Sequence, residues 1–448
     1  MIPPQIAIVL VNAISLDRQC RTSADLLQPD RARHVEQSFA DGGIACGARL
    51  SYVGAGFTNT GKTVSMTAFN RILAFDPDAG TVDVEAGISL GKLFGFLIEQ
   101  GYELPVQPGY PAISIGGCIA GNVHGKNHAR EGVFGAHVRE LTLFHPSHGH
   151  MTCSESSNAD VLELTIGGLG LTGVILSARL EVVPLGGAYV RNRVDAVDSL
   201  ENLFERVRQS SLESDMCYGW FDLTRPKNKS SHRGLLVRAE RTQEPAESTQ
   251  PRWQNRLKTS AREWRRRQIF SRITLPSVNA LYRYKSLHTS QSQLIHLFDF
   301  LYPAYGKESY FYGFGDAGFI EQQTLIPIGA ESEYLSAFWS LLERHEPCIA
   351  LTTVKSFAGA DGSYLSYTGT GTSFTVDLPA NANSREFLAS LDQINIDVGA
   401  RSAILKDGRI SAGSVRRQYP EYGKFKAAID AFDPKRQFGS ELSRRLEL

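Results

Sequence analysis

The sequence is short of features that would assign it to several large classes of protein. Its 448 residues carry 47 basic and 47 acidic side chains, so the formal net charge is zero. A neutral chain has no general electrostatic attraction to nucleic acid, and we expect no nucleic-acid partner. Such cysteines as there are form no CxxC pair, which favours reduced thiols in the cytosol over a disulfide framework or a zinc site. They are Cys20, Cys46, Cys118, Cys153, Cys217 and Cys348.

Long apolar runs are missing as well. The apolar stretch near the start, residues 6–14, is too short to cross a bilayer. No basic residue precedes it, so it lacks the charged segment with which a signal peptide begins. We interpret it as a buried strand and expect a cytoplasmic protein, whose membrane contact would be peripheral at the inner face of the membrane.

Composition and periodicity indicate more than one domain. A chain of this length with 42% hydrophobic and 21% charged residues is typical of soluble globular proteins with two or more domains. Up to about residue 184, short β-rich runs alternate with helical patterns such as residues 89–100. Beyond it, helical patterns at residues 198–208 and 332–344 accompany strand-like runs that predict an antiparallel sheet. These runs are residues 319–327, 352–356 and 373–378.

The most informative segment is SIGGCIAGNVHGKNHAREGVFG, residues 114–135, with six glycines. Glycine reaches backbone conformations closed to other residues and lets the chain approach a ligand closely. We therefore expect residues 114–117 to point free backbone N–H groups at a diphosphate. His124, Lys126 and Asn127 follow at once, so titratable and hydrogen-bonding groups would lie beside the bound cofactor.

Two further motifs suggest chemistry that their surroundings do not support. Residues 56–63, GFTNTGKT, match the P-loop pattern GxxxxGK[ST], but a P-loop needs a helix after it and residues 64–66 have the pattern of a strand. His145, His148 and His150 lie close together, as metal ligands do. A polar hairpin tip carries such residues without a metal, and we predict no metal site.

Eight segments, in a fixed order, match a known group of flavoenzymes. They are VGAGFTNTG (53–61), MTAFNRIL (66–73), VDVEAGISLGKLF (82–94), LPVQPG (104–109), HGKNH (124–128), GGLGLTGVIL (167–176), AILKDGR (403–409) and FDPKRQFGSELSRRLEL (432–448). On these segments the chain resembles the vanillyl-alcohol-oxidase flavoenzymes, whose FAD-binding domain is called PCMH-type. Within that superfamily it is most similar to the decaprenylphosphoryl-β-D-ribose 2′-oxidase family. Residues 189–302 match only loosely.

The resemblance implies an α+β fold in three parts. A PCMH-type FAD-binding domain of two subdomains would span residues 1–187, and an antiparallel-sheet substrate-binding domain with flanking helices would span residues 188–420. Residues 421–448 would form a helical tail that returns to the FAD domain. Some relatives attach FAD covalently through a histidine in the first glycine loop. No histidine lies between Val53 and Lys62, so we predict non-covalent FAD.

The resemblance also supplies candidates for the oxidation of an alcohol, which needs a hydride acceptor, a proton acceptor and stabilisation of charge. Lys406 matches the lysine that reaches flavin and substrate, where a cation would stabilise negative charge. His124 matches a histidine near the flavin that would act as a base or a hydrogen-bond donor. Gln323 and Lys355 match polar positions of the substrate pocket. The structural alternatives are a surface lysine, a histidine that orders its loop, and ordinary polar residues of an exposed strand face.

For the cofactor, the resemblance implies contacts from both glycine-rich segments. The first glycine loop would bind the diphosphate, and the later segment would lie near the diphosphate and the isoalloxazine. The cofactor-binding residues so predicted are Gly54, Ala55, Gly56, Phe57, Thr58, Asn59, Gly109, Ser114, Ile115, Gly116, Gly117, Asn122, Val123, His124, Val174 and Ala403.

The sequence departs from the family pattern in two places. Its first loop reads GAGFTNTG where relatives carry GLGRSYGD, so an arginine, a tyrosine and an acidic group would be missing. A cysteine in the substrate pocket of relatives aligns with Thr375, so thiol-directed inhibitors should fail.

Residues 252–272 hold eight basic residues and one acidic residue, with aromatic residues interleaved. Such a stretch suits the surface of an anionic bilayer, where a polyprenyl-phosphate substrate would reside. A solvated loop over the active site is the alternative, because a charge run alone is a weak signal.

These features predict FAD-dependent oxidation of the ribose 2′-hydroxyl of a polyprenyl-phosphate-linked pentose to a 2-keto product. A separate NAD(P)H-dependent short-chain reductase would complete the epimerisation to a D-arabinofuranose donor for cell-envelope glycans. The first alternative is a soluble aldonolactone or alditol oxidase. A P-loop nucleotide-binding protein and an inactive flavin-binding subunit are the others.

Overall fold

The structure is a computed structural model that describes residues 8–225, 233–244, 266–289, 293–359 and 363–448. The described strands form four sheets, which differ in how their strands are connected. No helix in this part of the chain combines the length and the apolar character that a membrane span requires.

The first sheet has four strands in the order β1-β2-β4-β3. Strand β4 is parallel to both of its neighbours, and β1 is antiparallel to β2. The elements of this region are β1 (Ile8–Ile14), β2 (Arg21–Leu27), α1 (Ala32–Ser38), β3 (Gly43–Cys46) and β4 (Lys62–Ser65).

The prediction of a buried strand near the start is half right. Strand β1 forms, but Ile8, Val9 and Leu10 are 57%, 52% and 71% exposed. The physical reason is position: β1 lies at the edge of its sheet, with β2 as its one neighbour within the described residues. Apolar periodicity predicts a strand but does not say whether another layer covers it.

The second sheet has five strands in the order β5-β6-β10-β8-β9, all antiparallel. Its strands are β5 (Ile72–Asp76), β6 (Thr81–Glu85), β8 (Val138–His145), β9 (Gly149–Ser154) and β10 (Val174–Glu181). A small separate sheet pairs β7 (Tyr102–Glu103) with β11 (Val183–Pro184). The helices of this region are α2 (Leu90–Glu99), α3 (Ile115–Ala120), α4 (His128–Glu131) and α5 (Ala159–Thr165), with a 3-10 helix at Phe134–His137.

Helix α2 shows why this region folds as its periodicity predicts. The Ser89 hydroxyl accepts a hydrogen bond from the Lys92 N–H and so caps the helix start. Leu90, Leu93 and Leu97 lie on one face and are buried against the second sheet. The helix ends before Gly101, whose φ of 79° is a left-handed conformation that glycine adopts without strain.

The third sheet has eight strands in the order β15-β12-β14-β13-β17-β18-β16-β19 and is antiparallel throughout, as the sequence predicted. Its strands are β12 (Tyr189–Val197), β13 (Met216–Asp222), β14 (Arg233–Thr242), β15 (Gln293–His296), β16 (Phe319–Pro327), β17 (Leu351–Phe357), β18 (Gly371–Pro379) and β19 (Arg401–Ser402). The helices around it are α6 (Leu200–Glu213), α7 (Leu275–Thr289), α8 (Leu297–Leu301), α9 (Ser309–Tyr312), α10 (Glu331–His345) and α11 (Ala382–Asp397).

Helices cover one face of the third sheet. Phe204 of α6, Phe338 of α10 and Phe387 of α11 are buried against Ile320 of β16 and Phe374 of β18 in a single apolar cluster. Burial of large side chains at about 25 cal/mol per Å² of apolar surface stabilises this layer. The opposite face of β16, β17 and β18 is therefore free to line a site.

The C-terminal segment contacts the first sheet and its loops. It contains α12 (Ala412–Gln418), α13 (Tyr422–Phe432) and α14 (Glu441–Arg445). The Phe438 ring stacks on Phe39, which follows α1, at 5.3 Å between centroids. The proposed boundaries at residues 187 and 420 stay predictions.

Candidate functional site

Two adjoining cavities lie where the glycine-rich segments meet the third sheet. We call the first the glycine-lined cavity; its volume is about 250 Å³, and seven glycines line it. The second, the sheet cavity, is about 490 Å³ and is lined by side chains of β16, β17 and β18. Tyr52, Gly121, Val123 and Lys406 line both, so the two cavities form one cleft. The seven glycines are Gly47, Gly56, Gly116, Gly117, Gly121, Gly170 and Gly173.

The loop that follows β3 presents free backbone donors to the glycine-lined cavity. The N–H groups of Gly47, Ala48, Arg49 and Leu50 donate no hydrogen bond to any described residue, and all four residues line the cavity. Arg49 has a φ of 56°, and a left-handed residue within such a run shapes the backbone into an anion-binding concavity. The Arg49 guanidinium adds a permanent positive charge suited to a phosphate. This loop fits a diphosphate.

Only part of the predicted first glycine loop reaches the cavity. Ala55 and Gly56 line it, whereas Gly54, Phe57, Thr58 and Asn59 line neither cavity. For those four residues, contact with FAD stays a prediction.

Contacts with other elements explain why these residues turn away. Phe57 is buried against Ala13 and Ala24, and the Thr58 hydroxyl accepts a hydrogen bond of 2.8 Å from Arg444. The Asn59 N–H donates to Glu441 at 3.0 Å. Helix α14 therefore binds the second half of this loop.

An arginine and a tyrosine lie a few residues upstream of the predicted loop. Arg49 and Tyr52 both line the cleft. The sequence reasoning followed the glycine-rich pattern at residues 54–61 and so missed residues 47–52. The signal that would have found them is their position directly after β3, since ligands in sheet-containing domains commonly bind at the ends of strands.

The prediction of free N–H groups at residues 114–117 is wrong for three of the four residues. The Ile115 N–H donates to Ile88 O at 2.9 Å and the Gly116 N–H donates to Ala86 O at 2.7 Å. The Gly117 N–H donates to the Ser114 hydroxyl, which caps α3. Ser114, Gly116 and Gly117 line the cavity, where the glycines allow close backbone approach. Of the four N–H groups, only that of Ser114 has no acceptor among the described residues.

The remaining predicted cofactor residues divide into two sets. Val123 lines both cavities, and Gly109, Asn122, His124 and Ala403 line the sheet cavity. Ile115 and Val174 line neither, because their side chains are fully buried in the apolar clusters on either side of the second sheet. The neighbours of Val174, Gly173 and Ile175, line the glycine-lined cavity instead.

Strand pairing brings the predicted catalytic residues of the third sheet together. Gln323 of β16 pairs with Thr375 of β18, and Lys355 of β17 pairs with Ser373. Because side chains alternate between the faces of a strand, residues two apart point to the same side. The polar side chains that share this face and line the sheet cavity are Glu321, Gln323, Thr353, Lys355, Thr375 and Asp377.

His124 reaches this face from the segment after α3. Its Nδ1 lies 3.1 Å from Gly125 O, so this nitrogen carries the proton and donates it. Its Nε2 then accepts from the Gln323 side-chain amide at 3.0 Å. Burial, followed by the charge of Lys355, lowers the pKa of His124 well below its ordinary value. The imidazole is therefore neutral at pH 7.

Two lysines occupy the sheet cavity with different partners. Lys406 Nζ lies 3.1 Å from Glu321 Oε1 and 4.0 Å from the centroid of the Tyr52 ring. A lysine so placed lines both cavities, which argues against the surface-lysine alternative. Lys355 makes no ion pair with any described residue. Burial, followed by the charge of Lys406, lowers its pKa to about 8.

Two acidic residues of the cavity were missed by the sequence reasoning. Glu321 and Asp377 pair directly across β16 and β18. The Tyr310 hydroxyl donates to Asp377 Oδ2 at 2.7 Å. Burial, followed by the charge of Glu321, raises the pKa of Asp377 well above its ordinary value. The period of two from Gln323 and Thr375 was the signal that would have found them.

The remaining sequence motifs lie away from the cleft. Lys62 of the P-loop pattern begins β4 and binds Asp41 at 3.0 Å, so a strand follows the motif where a P-loop needs a helix. His145 Nε2 lies 3.7 Å from Asp433, and His148 and His150 bind Phe432 O and Glu36 respectively. Among the described residues no three His, Cys, Asp or Glu side chains converge as metal ligands would.

Most of the basic stretch, residues 252–265, lies outside the described residues. Arg266 is described and lines the sheet cavity. Its guanidinium lies 4.7 Å from the centroid of the Tyr312 ring and donates to Phe311 O at 3.2 Å. Arg266 therefore places a cation in the wall of the sheet cavity, and the rest of the basic stretch adjoins it in sequence.

Comparison with known proteins identifies an FAD binding domain in the part of the chain that forms most of the glycine-lined cavity. A family model described as an FAD binding domain matches residues 43–154, which include the free N–H loop and the second glycine-rich segment. The chain contains an FAD binding domain and is an FAD-dependent oxidoreductase. The decaprenylphosphoryl-β-D-ribose oxidase of Mycolicibacterium smegmatis is 28% identical, over 93% of this chain and 92% of its own length.

Relatives of this oxidoreductase also include enzymes named for sugar lactones. The L-gulono-1,4-lactone dehydrogenase of Mycobacterium tuberculosis H37Rv is 25% identical over 89% of this chain and 90% of its own length. The L-gulonolactone oxidase of Mus musculus is 36% identical, but over 28% of each chain. FAD would be held by residues 47–50 at the diphosphate and by the glycine-rich walls of the cleft.

Proposed function

We propose that this flavoenzyme oxidises the ribose 2′-hydroxyl of a polyprenyl-phosphate-linked pentose to the 2-keto sugar. The observation that carries the proposal is the likeness to the decaprenylphosphoryl-β-D-ribose oxidase, which extends over 93% of the chain. The four residues predicted from the family, His124, Gln323, Lys355 and Lys406, all line that cavity.

The side chains of the cavity supply what alcohol oxidation asks of a protein. FAD, when bound, accepts the hydride from the carbinol carbon. Lys406 stabilises negative charge that develops on the substrate oxygen. Lys355, whose pKa is about 8, accepts the hydroxyl proton in its neutral form, because a base with a pKa near the working pH is the most effective.

His124 and Gln323 position the reacting group. The Tyr367 hydroxyl lies 3.0 Å from Ser373 Oγ, which lies 3.0 Å from the Gln323 amide. Gln323 in turn binds His124. Such a connected network fixes the orientation of each member.

The lipid and pathway parts of the proposal rest on charge and chemistry. Arg266 and the basic stretch that continues from it suit the phosphate of the substrate and an anionic membrane surface at the inner face. The keto product then requires a reductase to complete an epimerisation. A short-chain NAD(P)H-dependent enzyme would do this, towards an arabinofuranose donor for the cell envelope.

A second candidate is oxidation of a soluble aldonolactone. The full-length likeness to an L-gulono-1,4-lactone dehydrogenase favours it. The same cavity residues would serve, but Arg266 and the basic stretch would have no lipid phosphate to bind.

Product analysis tests the choice. FAD-loaded protein is incubated with an artificial electron acceptor and either polyprenyl-phosphoryl ribose or L-gulono-1,4-lactone, and products are measured by mass spectrometry. We expect loss of two hydrogens from the ribosyl lipid, with the carbonyl at C2. Turnover of the lactone alone would overturn the proposal in favour of the second candidate.

A further inference from the structure

Two carboxylates face each other inside the sheet cavity. Glu321 and Asp377 are direct partners in the antiparallel pairing of β16 with β18. Partners of this kind have Cβ atoms about 4.5–5.5 Å apart, and like charges at that distance destabilise the sheet. Both side chains are nevertheless buried, at 8% and 2% exposure. A pair with a structural cost in a cavity wall is a candidate for function.

The neighbours of the pair leave one oxygen unused. Lys406 forms an ion pair with Glu321, and the Tyr310 hydroxyl donates a hydrogen bond to Asp377 Oδ2. Asp377 Oδ1 is buried and has no hydrogen-bond partner among the described residues. A buried carboxyl oxygen without a donor carries an uncompensated desolvation cost, which a hydrogen bond from a ligand hydroxyl would offset.

Acidic, neutral and basic side chains of the cavity follow one another along the strands. Glu321 and Asp377 form one cross-strand pair, and the next pair towards Lys355 is the neutral Gln323 with Thr375. Lys355 lies beside Ser373, one pair further on. Among the described residues, a phosphate would find no free cation at this pair, because Lys406 is already bound to Glu321, whereas a neutral hydroxyl can donate to it.

We propose that Asp377 and Glu321 form a subsite that binds sugar hydroxyl groups other than the one oxidised, and so select a neutral, hydroxylated ring for this end of the cavity. Asp377 Oδ1 accepts from one hydroxyl, and Glu321, held by Lys406, bounds the subsite. The inference rests on the proposed oxidation of a sugar alcohol but not on the lipid.

Paired changes in enzyme and substrate test the subsite. The holoenzyme and its Asp377→Ala and Asp377→Asn variants are compared on a ribosyl substrate and on its 3-deoxy analogue. In the wild type, we expect KM to be about 10- to 100-fold higher for the deoxy analogue. Asp377→Ala should raise KM by a similar factor for the ribosyl substrate. For the analogue it should raise KM by less than about threefold, because the analogue already lacks the hydroxyl that would bind Asp377.

A carboxylate of the same cavity provides the matched control. Glu308 already accepts from the Tyr110 hydroxyl and the Gly306 N–H, so Glu308→Gln should change KM by the same factor for both substrates. FAD content and the thermal midpoint of each variant separate a folding defect from a binding defect. Asp377→Asn, which has nearly the same shape, serves if the alanine variant does not fold.

The outcomes separate the subsite from the function. Equal KM increases for both substrates in the Asp377 variants, or none, would overturn the subsite. If the wild type oxidises only L-gulono-1,4-lactone, the proposed function is wrong. The same comparison of variants is then made with that lactone and its deoxy analogues, and it still tests the subsite. A wild type that oxidises neither contradicts both.

Discussion

At the scale of single residues, the cleft depends on charges that the fold places in unfavourable surroundings. Lys355 is the clearest case, because burial and the nearby Lys406 both oppose its charge. A basic group whose pKa is lower in the folded than in the unfolded state reduces stability while it is charged in both states. Stability is commonly given up in this way where a site must be reactive.

Lys355→Met should therefore stabilise the protein and inactivate it. The pKa of Lys355 falls from its ordinary 10.5 to about 8, and each pKa unit is worth about 1.4 kcal/mol, so the free energy of unfolding at pH 7 should rise by about 3–4 kcal/mol. The penalty in the wild type declines as the pH rises from 8 to 10.5, and the gain should shrink over that range. Chemical denaturation at several pH values measures it.

The same residue predicts the pH dependence of the reaction. If neutral Lys355 accepts the proton, kcat should rise with pH through an apparent pKa near 8 and fall by roughly 10²- to 10⁴-fold in Lys355→Met. Lys355→Arg keeps the charge without a usable base and serves as the control. An unchanged pH profile in either variant would assign the proton to another group.

Arg49 provides a second residue-scale prediction. Because it lies in the loop with free N–H groups, Arg49→Ala should weaken FAD binding by roughly 10- to 100-fold, the loss expected for one charge-assisted contact. Lys62→Ala, which removes a cation bound to Asp41 away from the cleft, is the matched control. Titration of the apoprotein with FAD measures both, and equal affinities for the two variants would mean that the diphosphate lies elsewhere.

At the scale of elements, the cleft depends on how closely two loops approach each other. A Cβ atom on Gly47 would lie 1.9 Å from Ser114 Oγ. The loop after β3 and the cap of α3 therefore touch with no room for a side chain. This contact joins the first and second sheets at the glycine-lined cavity.

Gly47→Ala should destabilise the protein and reduce its FAD content. Overpacking of this kind costs about 1–3 kcal/mol, and Gly47→Ala combined with Ser114→Gly should recover part of that loss. Gly423→Ala in α13, where a Cβ would meet nothing within 4 Å, should leave stability unchanged or slightly raised. Thermal unfolding and flavin absorbance report both properties. A Gly47→Ala protein as stable as the wild type would contradict the close contact.

Elements were predictable where their pattern is local, and less so where pairing decides. The strand at Phe319–Pro327 and the apolar face of α2 follow from periodicity alone. That Glu321 opposes Asp377 follows from the register of β16 against β18, which depends on contacts distant in sequence. The loop at residues 47–50 was missed for a related reason. Its suitability for a diphosphate depends on N–H groups that have no acceptor among the described residues, and residue types do not reveal such groups.

At the scale of the whole molecule, the cleft lies between two sheets of different architecture. The second sheet with its glycine-rich loops provides backbone surface, and the third sheet provides charged side chains. Under the proposed function, the flavin and the substrate would meet at this boundary between regions. This arrangement separates cofactor binding from substrate choice, and it explains why one FAD-binding domain occurs in enzymes named for different sugars.

The attachment of FAD is a property of the complete protein. No histidine lies between Val53 and Lys62, so we predict that FAD dissociates. Precipitation with acid should leave the yellow colour in the supernatant. Flavin that stays with the pellet would show a covalent bond and would contradict the prediction.

Anaerobic reduction of the bound flavin tests the central claim most directly. Oxygen-free holoenzyme is mixed in turn with polyprenyl-phosphoryl ribose, aldonolactones and alditols, and the visible flavin band is followed in a stopped-flow instrument. The account predicts rapid bleaching by the ribosyl lipid and no response to the soluble sugars. Bleaching by an aldonolactone or alditol, with none by the lipid, would contradict it.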